Sequence, residues 1–307
     1  MNTLDYSRWN EVTKQEDWND TYNEGFKKLK KMQPAGVKDF SQFQFSLVMA
    51  NPPFAGDIKE NTIISRYELG KNTAGKWQNK VSRDVLFIER NLNFLKPGGR
   101  MAIVLPQGRF NNSSDKAIRE YIAERCRILA VVGLHGNVFK PHTGTKTSVL
   151  FVQKWDDKLC PKKVDYPIFF ATMQKPSKDN SGDKIYVKCE YVIVTDIREF
   201  KDKGVVETKY TRTEFIKKFG SIDEATLYRH KVDGQTINKL QYNTLTDDEK
   251  KGFDRKQWCL EFSEPVLDSH GHLIVDHDLY NHDGMTQDGI AEAFIEFAKK
   301  EGLSFFQ

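Results

Sequence analysis

Long apolar runs are missing from this chain of 307 residues. Nothing in it approaches the roughly 18 uninterrupted apolar residues of a membrane-spanning helix, so no such helix is expected. The first twenty residues, MNTLDYSRWNEVTKQEDWND, have no apolar stretch of the kind a secretory signal requires. The expected location is therefore cytoplasmic. Cysteine is scarce: Cys126, Cys160, Cys189 and Cys259 are the four in the chain. They stand roughly 30 or more residues apart, with neither metal-type spacing nor a disulfide framework, which reads as reduced thiols in a cytosol. Charge of one sign is scarce as well. Lys plus Arg is 47 against 43 Asp plus Glu, a net +4 that permits a polyanionic partner without announcing one. With 38% apolar and 12% aromatic residues the chain folds, and with 29% charged residues its surface is wet.

What is present has an order. Residues 1–44 are polar, with Trp9 and Trp18 as anchors and a helical spacing of Tyr22, Phe26 and Leu29 in Asn19–Met32. Phe45–Ala50 (FSLVMA) has the length of a buried strand and stops at Asn51-Pro52-Pro53-Phe54. Val85, Ile88, Leu92 and Leu95 predict a helix over 84–95, which Pro97-Gly98-Gly99 closes. Strands are predicted at 100–105, 128–134 and 148–152, with a helix at 115–126 facing inward through Ile118, Tyr121 and Ile122. Strand and helix alternation of this kind predicts an α/β fold with a mostly parallel sheet. No helical segment links the last two strands, so the fourth is expected to turn back antiparallel at one edge. Beyond about residue 155 the pattern weakens. Strands are expected over 168–173 and 184–195, weak helices over 200–256, and a helix through Ile290, Ala293, Phe294 and Phe297 ending at Lys299, Lys300 and Gly302. The expected division is a lead-in at 1–44, a core at 45–155 and a mixed α/β extension at 156–307.

The chemistry concentrates at Asn51-Pro52-Pro53-Phe54, because ligands of open α/β sheets sit at the carboxyl ends of strands. Two prolines fix φ and remove two N–H groups, leaving a stiff loop with unpaired carbonyls. The Asn51 side-chain oxygen and the Pro52 carbonyl can then accept both hydrogens of one exocyclic amino group. Phe54 offers a face on which a flat heterocycle stacks. Held this way, the amine nitrogen is pulled toward tetrahedral geometry, and its lone pair can attack an electrophilic methyl group. A plain Asn-Pro turn after a strand is the alternative reading.

The strand–NPPF junction, the helix ending in LKPGG, the strand RMAIVLP and the run VGLHGNVFKPHTGTKTSVLFV resemble the DNA adenine amino-methyltransferases. They are most similar to the modification subunit of type I restriction systems. The resemblance spans about residues 45–155. It implies a Rossmann-like methyltransferase core, S-adenosylmethionine as methyl donor, and the N6 amino group of an adenine flipped out of duplex DNA as acceptor. It also implies double-stranded DNA and the specificity and restriction subunits of a type I complex as partners. On this resemblance Asn51, Pro52, Pro53 and Phe54 are catalytic, and Phe54 and Phe139 bind the base. Phe87 packs on the cofactor's adenine, and Asp5 and Tyr6 stand near the cofactor. The family's glycine-rich cofactor turn does not precede Asn51 here, and Asn2–Tyr6 is similar to the segment after the family's acidic strand. The chain is thus expected to open past the first half of the cofactor site. Two other readings stay open: a non-catalytic fragment that keeps DNA or subunit contacts, and a methyltransferase acting on RNA guanine or protein glutamine. Cytosine N4 is disfavoured because Asn opens the tetrapeptide.

Lys140, His142, Lys146 and the loop Arg109-Phe110-Asn111-Asn112 fall near strand ends, and Lys140 and Lys146 are candidate contacts to DNA phosphates. His270, His272, His277 and His282 crowd together with Asp268, Asp276, Asp278 and Asp283. Nothing in that spacing fixes a tetrahedral set, so no metal is expected and a solvated turn is the reading.

Overall fold

The computed structural model describes Leu4, Asp5, Lys31 and residues 43–196, 206–219, 226–257 and 259–303. The predicted helix over 19–32 and the Trp9 and Trp18 anchors fall outside these, apart from Lys31. Two compact units divide the chain: residues 1–183 with 277–307, and residues 184–276. The first unit thus takes in residues 156–183 and 277–307, which the sequence grouped with the extension.

In the first unit, β1 (Phe45–Ala50), β4 (Leu95–Pro106), β6 (Thr147–Lys154), β5 (Cys126–Gly133) and β7 (Phe169–Thr172) form one sheet in that spatial order. β1 pairs parallel with β4, and β7 parallel with β5. β6 is antiparallel to both β4 and β5. The α/β class and the reversed fourth strand stand, but β6 is not at an edge. It fills the slot between β4 and β5, and Leu150 and Val152 of its continuous apolar run are buried there. A run of that kind belongs to a strand covered on both faces rather than to an edge.

Helix α2 (Arg83–Asn93) buries Val85, Ile88 and Leu92, and α4 (Lys116–Arg125) buries Ile118, Tyr121 and Ile122, as the spacing predicted. Both pack on one sheet face with Met101, Ile103, Leu105, Leu150 and Val152. α2 ends at Asn93, and the Lys96–Gly99 segment becomes a bulge in β4, with Gly98 at φ +71°. The other face is covered over β5, β6 and β7 by α8 (Ile290–Lys300), whose Phe294 and Phe297 rings lie 5.4 and 5.6 Å from Phe169. Gly302, at φ +60°, closes α8 while the Leu303 N–H reaches the Ala298 carbonyl, a Schellman ending. An apolar cavity of about 390 Å³ lies between Val149 and Phe151 of β6 and Ala291 and Ile295 of α8. β1 is less buried than its sequence predicted: Leu47 is 61% and Met49 78% exposed. Among the described residues, β4 is the only strand that pairs with it.

The second unit holds two antiparallel three-stranded sheets. One contains β8 (Lys188–Asp196), β9 (Val206–Thr211) and β13 (Cys259–Pro265), with β8 central. The other contains β10 (Thr226–His230), β11 (Thr236–Asn238) and β12 (Phe253–Gln257), with β10 central. Three short helices, α5 (Arg212–Phe219), α6 (Lys239–Asn243) and α7 (Asp247–Lys250), lie among these strands, so the weak helices expected over 200–256 are there but share the segment with strands that the sequence did not announce. Among the described residues no helix is long and apolar enough to cross a membrane.

Candidate functional site

Because β1, β4, β5 and β7 run parallel, their carboxyl ends share one edge, where β6 also begins. Three loops meet there: Asn51–Gly56 after β1, Gln107–Asn112 after β4, and Leu134–Lys146 between β5 and β6. Main-chain bonds tie the last two to β6 and to each other, from Leu134 N–H to Thr147 O (2.9 Å) and from Gln107 N–H to Lys146 O (2.9 Å).

At the first loop Pro52 is buried, Pro53 and Asn51 are exposed, and Phe54 is half-buried. Among the described residues neither the Asn51 carboxamide nor the Pro52 carbonyl has a hydrogen-bond partner. Asn51 is therefore turned to solvent, and the stiff Asn-Pro-Pro corner leaves two oxygen acceptors unspent. Phe54 meets Phe139, 85 positions later in sequence, with ring centroids 5.0 Å apart and planes at 80°. Both rings are half-buried, so the aromatic face at this corner is a pair.

The loop that carries Phe139 is held by the polar turn at residues 176–183, between the segments predicted as strands at 168–173 and 184–195. Asn137 Nδ2 donates to the Lys178 carbonyl (3.0 Å), and Lys178 Nζ donates to the Lys140 carbonyl (2.9 Å). Gly182, at φ +101°, lies against Pro141; a Cβ there would come within 2.6 Å of its ring. The Asp179 carboxylate gathers the N–H groups of Asp183, Gly182 and Ser181, which hold it below the usual carboxylate range. The D-N-S-G-D run of residues 179–183 carries the signal for this turn, an Asp whose side chain takes the following N–H groups and a Gly free to adopt positive φ.

Arg109 does not reach outward from the second loop as expected. Its Nε and Nη2 donate to the two oxygens of fully buried Asp84 at 2.7 and 3.0 Å, and Nη1 donates to Asp115 at 3.1 Å. Ser82 Oγ adds a third donor to Asp84 at 2.7 Å. Burial alone would lower the Arg109 pKa, but Asp84 and Asp115 outweigh it and raise it. Arg119 of α4 completes the clasp by donating to the Asn112 and Arg109 carbonyls. The network joins α2, α4 and the loop after β4. Its residues were legible singly, but their meeting was not.

Lys140 Nζ contacts Asn180 Oδ1 at 3.4 Å, while Lys146 and His142 are exposed. Of the residues named for the cofactor, Phe87 is half-buried on α2 and packs against the core. Asp5 is ion-paired to Arg66 at 3.0 Å, beside a bond from Tyr67 to the Leu4 carbonyl. Tyr6 lies outside the described residues. His277 and His282 approach to 3.1 Å through their Nε2 atoms, and Asp268 closes its own turn by accepting from the His270 and His272 N–H groups. Among the described residues no three His, Cys, Asp or Glu side chains are placed to share a metal ion.

Glu89 of α2 anchors the excursion between β2 (Asp57–Ile58) and β3 (Val81–Ser82), which follows the corner and pairs antiparallel. It accepts from the Glu68 and Leu69 N–H groups at 2.9 and 2.8 Å, and burial pushes its pKa up.

Comparison with known proteins adds the following. The chain is 32% identical over 112 residues to the type I restriction enzyme EcoEI methylase subunit of Escherichia coli, covering 36% of this chain and 21% of that one. It is 25% identical over 118 residues to the type II restriction enzyme and methyltransferase RM.Eco57I of Escherichia coli, covering 38% and 12%. It thus spans about a fifth or less of the curated relatives it matches. A solved type I restriction-modification methyltransferase subunit from Streptococcus thermophilus is 26% identical, with a TM-score of 0.31, covering 40% of this chain and 26% of the other. The family model described as N-6 DNA Methylase matches residues 10–256, well over half the length and including the Asn51 corner and the Phe139 loop. By that extent the chain belongs to the N-6 DNA methylase family.

Proposed function

We propose that this chain carries the target-base half of an adenine-specific DNA methyltransferase, the modification subunit of a type I restriction-modification system. The observation that carries the proposal is the exposed Asn51 carboxamide, which has no partner among the described residues, at a rigid strand end beside the Phe54–Phe139 pair. In this reading Asn51 Oδ1 and the Pro52 carbonyl take the two hydrogens of the adenine N6 amino group. Pro53 keeps the loop stiff, and Phe54 and Phe139 receive the ring. Stacking between two parallel rings needs about 7 Å between them, twice an ordinary carbon contact. The observed 5.0 Å edge-to-face pair must therefore open as the flipped base enters.

The donor implied by the family is S-adenosylmethionine, which supplies an electrophilic methyl group. The described residues do not form a cradle for it, since Asp5 is bound to Arg66 and Phe87 packs against the core. What this chain contributes is hold on the amino group. Two carbonyl-type acceptors localise the nitrogen lone pair, and because neither is basic enough to keep a proton, the surplus proton leaves to water. Double-stranded DNA and the specificity and restriction subunits are the partners in this reading, with Lys140 and Lys146 facing phosphates and the cytoplasm as the location.

The test is a nucleoside digest of duplex DNA methylated by the protein. N6-methyladenine in the wild type and its loss in Asn51→Ala are expected. N4-methylcytosine, or label in RNA or protein instead, would overturn the assignment. A second reading, a non-catalytic fragment that keeps DNA or subunit contacts, is favoured by the occupied Asp5 carboxylate. Calorimetric titration separates the two: micromolar saturation by S-adenosylmethionine supports the enzyme, and no heat supports the fragment.

A further inference from the structure

We propose that Arg83 is a phosphodiester-binding residue that grips the strand backbone beside the flipped base; this rests on the DNA-methyltransferase reading above. Two features set it there. Gly56 follows the Phe54 corner at φ +96°, and the Arg83 N–H donates to the Gly56 carbonyl at 3.0 Å, just after the Asp57↔Ser82 pairing. The guanidinium then lies flat over Gly56: a Cβ at that position would be 3.3 Å from Nη2 and 3.4 Å from Cζ. A Cβ there would press on the guanidinium and push it aside by a few tenths of an ångström.

The charge at this spot is not compensated. Asp57 pairs across the strands with Ser82, next to Arg83, and Asp84 follows Arg83 in the chain. Asp57 is taken by Lys80 at 2.8 Å, and Asp84 by Arg109 and Ser82. Among the described residues no acceptor meets the Arg83 guanidinium. It is also half-buried, which separates it from the exposed lysines nearby. A planar cation with its own acids diverted is matched to an oxyanion presented from outside. A nucleotide extruded onto Asn51 and Phe54 brings its flanking phosphodiesters to this corner. Arg109, the arginine that the sequence placed at this edge, is meanwhile spent inside the protein.

Each phosphate contact contributes about 0.9 to the slope of log binding constant against log salt. The experiment measures that slope for the full chain on duplex DNA, in wild type, Arg83→Gln, Arg83→Lys and Gly56→Ala, with melting curves as folding controls. Expected is a slope shallower by about 1 for Arg83→Gln. Arg83→Lys should keep the slope with weaker binding, and Gly56→Ala should weaken binding by displacing the guanidinium. An unchanged slope in a folded Arg83→Gln protein overturns the assignment while leaving the base-site reading intact. If instead Arg83→Gln weakens calorimetric S-adenosylmethionine binding at unchanged slope, the anion is the donor's carboxylate and the phosphodiester assignment fails. A wild-type protein whose DNA binding does not respond to salt overturns both readings together.

Discussion

Replacing Arg109 by Met should cost this protein more than any single change at its surface. Asp84 is fully buried and receives three donors, two of them from Arg109 at 2.7 and 3.0 Å. Removing the guanidinium leaves that carboxylate with the Ser82 hydroxyl alone, in a place water does not reach. Breaking a buried pair from one side costs about 3–5 kcal/mol. Asp115 loses its contact too, but it lies nearer the surface and rehydrates. For a unit of this size each kcal/mol moves the melting midpoint by about 2–4 °C. A fall of about 6–20 °C is therefore expected by near-ultraviolet circular dichroism. The double variant Asp84→Leu with Arg109→Met removes the stranded charge. It should recover about 2 kcal/mol relative to the sum of the two single changes, within the range measured for residues in one network. Methylation should fall along with stability in Arg109→Met, since the loop after β4 loses its clasp. A single variant that melts within about 2 °C of wild type, or strictly additive costs in the double variant, would refute the claim that this pair organises the edge.

Phe139→Ala removes one ring of the Phe54 pair and one stacking surface; flipped-base binding should weaken by about 5- to 150-fold, the worth of 1–3 kcal/mol per stacked base, read by fluorescence of a base analogue at the target position. Glu89 has a folded pKa raised above 4.5 by burial. Its protonated form is thus favoured in the folded state, so its contribution to stability is fullest below about 4.5 and declines as pH rises through the folded pKa. The denaturant midpoint of wild type minus that of Glu89→Gln should therefore fall across that window, and a flat difference would contradict the raised pKa. Ala291→Leu puts three more carbons from α8 into the 390 Å³ apolar cavity and should stabilise by up to about 2.4 kcal/mol at roughly 0.8 kcal/mol per buried carbon, measured by urea unfolding. Cys126 is buried, and its thiol is pushed up to about 12 by that burial, so a thiol reagent at pH 8 should modify it only in denaturant.

The parts of this fold legible in sequence are those whose signal is local. Val85, Ile88 and Leu92 announce α2 because an amphipathic helix repeats within a dozen residues, and FSLVMA followed by NPPF announces a strand end because prolines stop a ladder outright. The place of β6 was not legible. Its apolar run shows that it is covered on both faces, but which strands cover its edges is decided by pairings with β4 and β5 at distant positions. The candidate site divides the same way. Phe54 could be named from its own tetrapeptide, and Phe139, 85 positions further on, only through a resemblance that spanned the chain between them. That the two rings touch is a property of parallel strands ending at one edge. The turn at residues 176–183 was legible, but its hold on the Phe139 loop was not, since the partners stand about 40 positions apart. The capture of Arg109 by Asp84 was invisible for a further reason: its worth depends on exclusion from water, and exclusion belongs to the assembled sheet rather than to any segment. An arginine near a strand end reads the same in sequence whether it faces a phosphate or a buried carboxylate. What separates Arg109 from Arg83 is that the first has met its acids inside the protein and the second has had its acids taken away.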